Sequence, residues 1–178
     1  MAAAEITRCV LERDDKVRIL DADALNIIAG EHIDYKGSRE GQIIITPHIM
    51  EMSRLTGKTV ADIKEHMIES AKEYAIQHSC ICILKDARTV VTDGQKVYIN
   101  CTGNDGMSTG GCGDVLTGLI AGMTAMGLDA FEAACLSVYV HGKAGDYAAS
   151  GKGRAGMTAA DISEAIAYVP VSYTHLTL

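Results

Sequence analysis

Asn100-Cys101-Thr102-Gly103-Asn104-Asp105-Gly106-Met107-Ser108-Thr109-Gly110-Gly111-Cys112-Gly113-Asp114 runs straight into the apolar stretch Val115-Leu116-Thr117-Gly118-Leu119-Ile120. Glycines at 110, 111 and 113 let the backbone turn sharply and approach a ligand closely. The run that follows reads as a helix whose first N–H groups lack intrahelical partners and would face that ligand, a setting suited to phosphate. Asp114 falls at the helix start, where the dipole favours negative charge; beside an electrophilic phosphorus it would take the proton of an attacking hydroxyl. The chemistry implied is phosphoryl transfer. The same residues also read as a glycine-rich loop ahead of a tightly packed helix. Two familiar phosphate loops are excluded by spacing: no Gly-Lys-Ser/Thr follows, and Leu116 stands where a dinucleotide fold needs its third small residue.

With 178 residues and 48% hydrophobic content, the chain is long enough for one sizeable core. The expected organisation is a single α/β domain over residues 1–170, with residues 171–178 a tail outside the fold. A net charge of −7 and no basic cluster argue against nucleic acid or an anionic membrane as partner. No run approaches the ~20 apolar residues of a membrane span and no signal segment opens the chain, so a cytoplasmic location is expected. Six cysteines lack the paired spacing of a zinc site or a secreted disulfide scaffold. Cys80 and Cys82 alternate on a strand and read as core.

Outward from the glycine motif, short apolar runs deliver polar groups at their carboxyl ends. Val17 to Leu20 leads to Asp21, Asp23 and Asn26; Gln42 to Thr46 leads to Pro47, His48 and Glu51; Ile81 to Leu84 ends at Lys85. That is the pattern of a mostly parallel sheet whose ligand collects at one edge. Thr59 and Asp62 predict a capped amphipathic helix over 60–77. Thr89 to Thr92 and Lys96 to Ile99 predict a hairpin around Asp93-Gly94-Gln95. Beyond the motif, helices are expected at 114–126, at 130–149 and from Thr158, with Asp161 as capping partner. Glycines inside the second, at 142 and 145, imply close packing against a neighbour.

Four blocks in order, Leu20 to Asn26, Thr46-Pro47-His48 with Glu51, Lys85 with Thr89, and Asn100 to Asp114, together with Tyr139 to Asp146, resemble the ADP/ATP-dependent NAD(P)HX dehydratases of the ribokinase-like superfamily. The resemblance covers about residues 10–168. It implies a three-layer α/β/α sandwich with a mostly parallel central sheet, here without its first strands, so that the chain is expected to be a fragment. It implies repair of NADHX or NADPHX to NADH or NADPH, with ADP or ATP as phosphoryl donor and magnesium as companion. It further implies a homo-oligomer, a tetramer in the family, and functional pairing with an NAD(P)HX epimerase.

Carried over residue by residue, the resemblance makes Asp114 the base, His48 and Asp114 substrate contacts, and Lys85, Asp86, Ala87, Arg88, Thr89 and Gly113 nucleotide contacts. Gly111, Cys112 and Gly113 would form the anion hole. Asp21, Asp23, Asn26, Asn104 and Glu51 would support the site, and Asp21, Asp23 and Glu51 are candidates to hold magnesium, whose ligands no carboxylate spacing identifies. His48 also reads as the cap of a following helix. Three positions depart from the family pattern: Met50 and Asp86 stand where glycine is usual, and Cys112 where serine is usual. A side chain at either place is expected to crowd a backbone turn or, in the case of Asp86, to set a negative charge near the nucleotide phosphates. The alternatives are a small-molecule kinase of the same superfamily and a non-catalytic nucleotide-binding module.

Overall fold

The structure, a computed structural model, describes residues 2–37 and 42–169; the tail expected at 171–178 lies outside the described residues. The chain divides into two compact units, Met1–Ile99 with Asp129–Phe131, and Asn100–Leu128 with Glu132–Leu178.

The first unit is built on a five-stranded mixed sheet in the order β1 (Arg18–Leu20), β2 (Ile43–Ile45), β3 (Ile81–Leu84), β4 (Val90–Thr92), β5 (Val97–Ile99). β1, β2 and β3 run parallel, with Leu20 beside Ile45 and Ile45 beside Cys82. β3–β4 and β4–β5 are antiparallel. Every residue of β2 and β3 is buried, which is why they read as continuous apolar runs rather than as alternating strands. The helices of this unit are α1 (Ala2–Leu11), α2 (Asp23–Gly30), α3 (Ile49–Thr56), α4 (Val60–Glu65) and α5 (Met67–His78). α5 packs on β3 and β4, and α2 packs on α3. Leu25, Ile43, Ile45, Met52, Ile63 and Leu84 form the centre of the core.

The helix expected over 60–77 is two helices. His66 takes φ −126° and ψ 49°, yet it still donates to Asp62 and its carbonyl accepts from Ser70, so the bend between α4 and α5 sacrifices little of the hydrogen-bond ladder. Thr59 caps α4 as expected, accepting from the Asp62 amide at 3.1 Å. The hairpin turn is held by side chains: Asp93 Oδ1 accepts from the amides of Gln95 (2.8 Å) and Lys96 (2.7 Å), and Thr92 Oγ1 accepts from Gly94 (2.9 Å).

Cys80 and Cys82 sit in this core beside a stacked aromatic group. The Tyr35 and Tyr74 rings flank His78 at centroid distances of 4.7 and 4.3 Å, and His78 Nδ1 donates to the Tyr35 carbonyl at 2.9 Å. Burial pushes the Cys80 thiol up to about 12 and raises Cys82 as well, so both remain protonated packing groups.

The second unit comprises α6 (Cys112–Ala125), α7 (Ala130–Lys152, whose first two residues belong to the first unit) and α8 (Ala159–Ala165). Its core joins Cys112, Ala144, Ala148, Met157, Ile162 and Ala165. α8 opens on the expected capping box of Thr158 and Asp161. The Asp161 carboxylate accepts from the Thr158 amide (2.9 Å) and hydroxyl (2.7 Å) and pairs with Lys152. Lys152 first, then Thr158, holds its pKa down to about 2 from an ordinary 3.8. A depressed acid stabilises the fold above its unfolded pKa and loses that contribution as pH falls through the folded value. The urea midpoint of the protein should therefore fall between pH 4 and pH 2 more steeply than that of Asp161→Asn, and parallel curves would show that this contact contributes nothing.

Candidate active site

In the first unit the predicted polar groups gather at the carboxyl ends of the parallel strands, where open α/β sheets place their ligands. Asp21 follows β1, His48 follows β2 and Lys85 follows β3. Lys85 extends β3 by an isolated bridge to His48, its amide donating to the Pro47 carbonyl at 2.8 Å. Lys85 Nζ lies 3.0 Å from Asp21 Oδ1, with side-chain exposures of 23% and 13%, so the pair is neither a surface contact nor fully desolvated. Asp21 Oδ1 also accepts from the Ala22 amide at 2.9 Å.

Ala22 itself takes φ 48° and ψ −114°. A non-glycine residue in that region is strained, and such strain collects at binding sites where the surroundings over-determine the backbone. The Asp21 carboxylate gripping its amide, and the Ala22 carbonyl accepting from Asn26 Nδ2 at 3.1 Å, supply that constraint. Asn26 also accepts from Arg54 at 2.7 Å, so it braces the turn with both ends of its amide. Asp23 is exposed in the first turn of α2.

His48 caps α3. Its Nδ1 accepts from the amides of Met50 (3.1 Å) and Glu51 (3.2 Å), while Glu51 Oε2 accepts from the His48 amide at 2.9 Å. An accepting Nδ1 places the ring proton on Nε2. The ring is 50% exposed, and its Nε2 lies 3.5 Å from Oε1 of a Glu51 that is 5% exposed, so the carboxylate that closes the cap also faces the outer ring nitrogen. Of the two readings of His48, the structure shows the helix cap. Met50 and Asp86 do not crowd their turns. The non-glycine residues at positive φ among the described residues are Ala22, His32 and Ser79, and both Met50 and Asp86 project to the surface. In the loop after Lys85, Asp86, Ala87 and Arg88 are exposed, and Thr89 Oγ1 donates back to the Asp86 carbonyl at 3.3 Å.

The second unit carries the glycine motif. Gly111 caps α6 at φ 87°, a left-handed conformation, and a Cβ there would stand 3.2 Å from Ala159 Cβ. Asp114 is exposed in the first turn of α6. Of the three amides expected to cradle an anion, that of Cys112 closes the turn onto the Thr109 carbonyl at 3.3 Å. Among the described residues those of Gly111, Gly113 and Asp114 have no protein acceptor. Cys112 Sγ lies 3.6 Å from His141 Nε2 on α7. Asn104 holds the approach to the motif: its Oδ1 accepts from Gly106 (3.1 Å) and its Nδ2 donates to Asp146 (3.1 Å).

Sequence reasoning missed three parts of this arrangement: the strained Ala22, the Arg54 brace and the carboxylate of Asp146. Only the last left a trace, in a helix carrying two glycines beside an acid. Among the described residues no three His, Cys, Asp or Glu side chains gather as metal ligands. Asp21 is engaged by Lys85 and Glu51 by the cap of α3, so the candidate magnesium ligands do not form a protein-held metal site.

The chain matches the family described as NAD(P)H-hydrate dehydratase over residues 1–168. It is 45% identical over 170 residues to the bifunctional NAD(P)H-hydrate repair enzyme of Moorella thermoacetica, covering 94% of this chain and 32% of that protein. A crystal structure of the ADP/ATP-dependent NAD(P)H-hydrate dehydratase of Bacillus subtilis, co-crystallised with ATP and magnesium and soaked with CoA, superposes with a TM-score of 0.80 at 32% identity, over 94% of this chain and 58% of that one. A ribokinase-like superfamily protein of Enterococcus faecalis gives a TM-score of 0.80 at 26% identity, over 92% of this chain and 56% of the other. The chain thus spans about a third of the Moorella protein and under two thirds of each solved structure. No described helix is long and apolar enough to cross a membrane. The chain has a ribokinase-like α/β fold and belongs to the NAD(P)H-hydrate dehydratase family.

Proposed function

We propose that the chain carries out, within a whole protein of the family, the nucleotide-dependent dehydration of NADHX or NADPHX to NADH or NADPH. The observation that carries this reading is the exposed carboxylate of Asp114 one turn behind a left-handed Gly111, beside amides at 111, 113 and 114 that no protein acceptor among the described residues uses. Hydroxide is a poor leaving group. Transfer of the terminal phosphoryl group of ADP or ATP to the ring hydroxyl converts it into a good one, with Asp114 taking the hydroxyl proton. Such a base is worth about 10²- to 10⁴-fold in rate. The cradle amides bind charge on the transferring group, each well-placed donor contributing ~3 kcal/mol. The ring nitrogen's lone pair then breaks the C–O bond and expels phosphate, and loss of the adjacent carbon-bound proton restores the double bond.

In this reading His48 meets the substrate, while Lys85 to Thr89 and Gly113 meet the nucleotide. No step runs through magnesium, because the acids present do not form its site; an ion accompanying the nucleotide is held by phosphate oxygens and water. A kinase of the same fold would stop at the phosphorylated alcohol, and the family match favours going on to elimination. A cytoplasmic location, a homo-oligomer and a partner epimerase activity belong to the same proposal, the last in keeping with the bifunctional name of the Moorella relative.

The test is an assay of hydrated NADH and NADPH with ADP and with ATP, following return of reduced-nicotinamide absorbance and release of phosphate. It uses the chain alone and the chain fused behind the preceding segment of the B. subtilis relative. Stoichiometric phosphate and NAD(P)H support the reading. An accumulating phosphorylated product would replace it with the kinase, and no turnover with no thermal shift on nucleotide would overturn it.

A further inference from the structure

The helix α7 grips the glycine-motif loop from one end to the other, although nothing in the reaction scheme above uses it. At the loop's entry Asp146 Oδ2 accepts from the Gly103 amide at 3.0 Å, and Oδ1 accepts from Asn104 Nδ2 at 3.1 Å. Asn104 relays the hold onward, its Oδ1 accepting from the Gly106 amide at 3.1 Å and capping the short 3₁₀ turn Asp105–Met107. Toward the start of α7, the carbonyl of Tyr139 accepts from Thr102 Oγ1 at 3.1 Å. At the loop's exit His141 meets Cys112, the first residue of α6. The glycines of α7 let this happen: a Cβ at Gly142 would strike the Thr102 backbone, and one at Gly145 would strike the Met107 side chain.

Resting on the phosphoryl-transfer reading of the cradle, we propose that Asp146 is a positioning residue: through Gly103 and Asn104 it sets where the amides of Gly111 and Gly113 and the carboxylate of Asp114 stand. The chemistry explains why an acid is needed there. Both facing groups, a backbone N–H and an amide NH₂, are donors, and only a carboxylate offers an acceptor to each. An asparagine at 146 would turn one of its ends, NH₂, toward a donor and lose that hold. The same pairing of donors and acceptors can be rebuilt with the two residues exchanged. In the exchanged pair Asp146→Asn with Asn104→Asp, the amide oxygen introduced at 146 accepts from Gly103 and the amide NH₂ donates to the carboxylate introduced at 104. The second oxygen of that carboxylate accepts from Gly106, so every bond of the relay is restored with net charge unchanged.

Three variants test this: D146N, N104D and the double exchange, in the same protein used for the dehydration assay. D146N should lower kcat by about 100-fold with KM for the nucleotide nearly unchanged, the effect of a reacting group displaced by about an ångström. The double exchange should recover kcat to within about threefold, because the two sites couple rather than add. A purely stabilising contact would lower the unfolding temperature and leave kcat at 25 °C alone. Independently of turnover, amide exchange at Gly103 and Gly106 should quicken in D146N, the amide resonances of Gly111 to Asp114 should move, and both should return in the exchange. Should the parent protein prove inactive, the dehydratase reading fails while these amide measurements still decide the hold on the cradle. Unmoved resonances at 111–114, a D146N with full kcat, or a folded double exchange that stays slow would each overturn the proposal.

Discussion

Asp114→Asn should reduce dehydration by about 10²- to 10⁴-fold while leaving nucleotide affinity close to that of the parent, the range expected when a general base is removed but its hydrogen-bonding shape is kept. The reason lies in what the residue touches. Asp114 stands in the first turn of α6, exposed, with the unused amides of Gly111 and Gly113 before it. Asparagine fills the same space and still accepts a hydrogen bond, so the cradle and the helix start keep their form, but it cannot carry away the proton of the attacking hydroxyl. Loss confined to kcat, with the thermal shift on ADP or ATP retained, is the expected pattern. Because the helix dipole favours negative charge at this position, the variant should also be slightly less stable, by about 0.3–1 kcal/mol, far too little to explain the lost rate. Turnover that survives the substitution would remove Asp114 from the chemistry and leave the cradle as a binding feature alone.

The strand ends were the most legible part of the chain, and for a plain physical reason. Ile43 to Ile45 and Ile81 to Leu84 are buried on both faces, so their sequences are unbroken apolar runs that end at polar residues, Thr46 and then His48 in one case and Lys85 in the other. Caps written in single side chains were equally plain: Thr158 with Asp161, and Thr59 before α4. What stayed hidden depends on backbone conformation or on partners distant in sequence. Nothing in Asp21-Ala22-Asp23 announces a strained alanine, because the strain lies in a backbone conformation held by the Asp21 and Asn26 side chains on the alanine's own amide and carbonyl. The bend at His66 has no breaker residue, since the hydrogen bonds to either side of it survive. The helix after His48 is legible only as something that residue would cap, because eight residues, 49–56, are too few for Ile49, Met52 and Leu55 to establish a period. The family resemblance puts the Cys112 amide in the anion hole; the tightness of the turn diverts it to Thr109.

Gly142→Ala should destabilise the second unit by about 2–3 kcal/mol, against the intrinsic preference of the helix, and this opposition of sign makes the substitution informative. On propensity alone, alanine in a helix interior is worth up to about 1 kcal/mol over glycine. At Gly118, an exposed position of α6 where an added Cβ meets nothing within 4 Å, that gain should be realised, and Gly118→Ala should raise the urea midpoint. At Gly142 the same methyl would stand 2.7 Å from the Thr102 carbonyl carbon and 2.8 Å from its oxygen. Those are backbone atoms, and they cannot swing aside as a side-chain end would. Thr102 is itself anchored: Asn100 Nδ2 donates to its carbonyl at 3.0 Å, and its hydroxyl lies 2.9 Å from Asn100 Oδ1 and 3.1 Å from the Tyr139 carbonyl. Relief requires α7 and the start of the glycine-motif loop to separate, breaking the Thr102 bond and drawing Gly103 away from Asp146. Equilibrium urea unfolding of the two alanine variants side by side reads the result, with opposite shifts expected. Should Gly142→Ala stabilise as Gly118→Ala does, the loop would yield to a methyl group at no cost, and a helix glycine kept for close approach would be the wrong account of this packing.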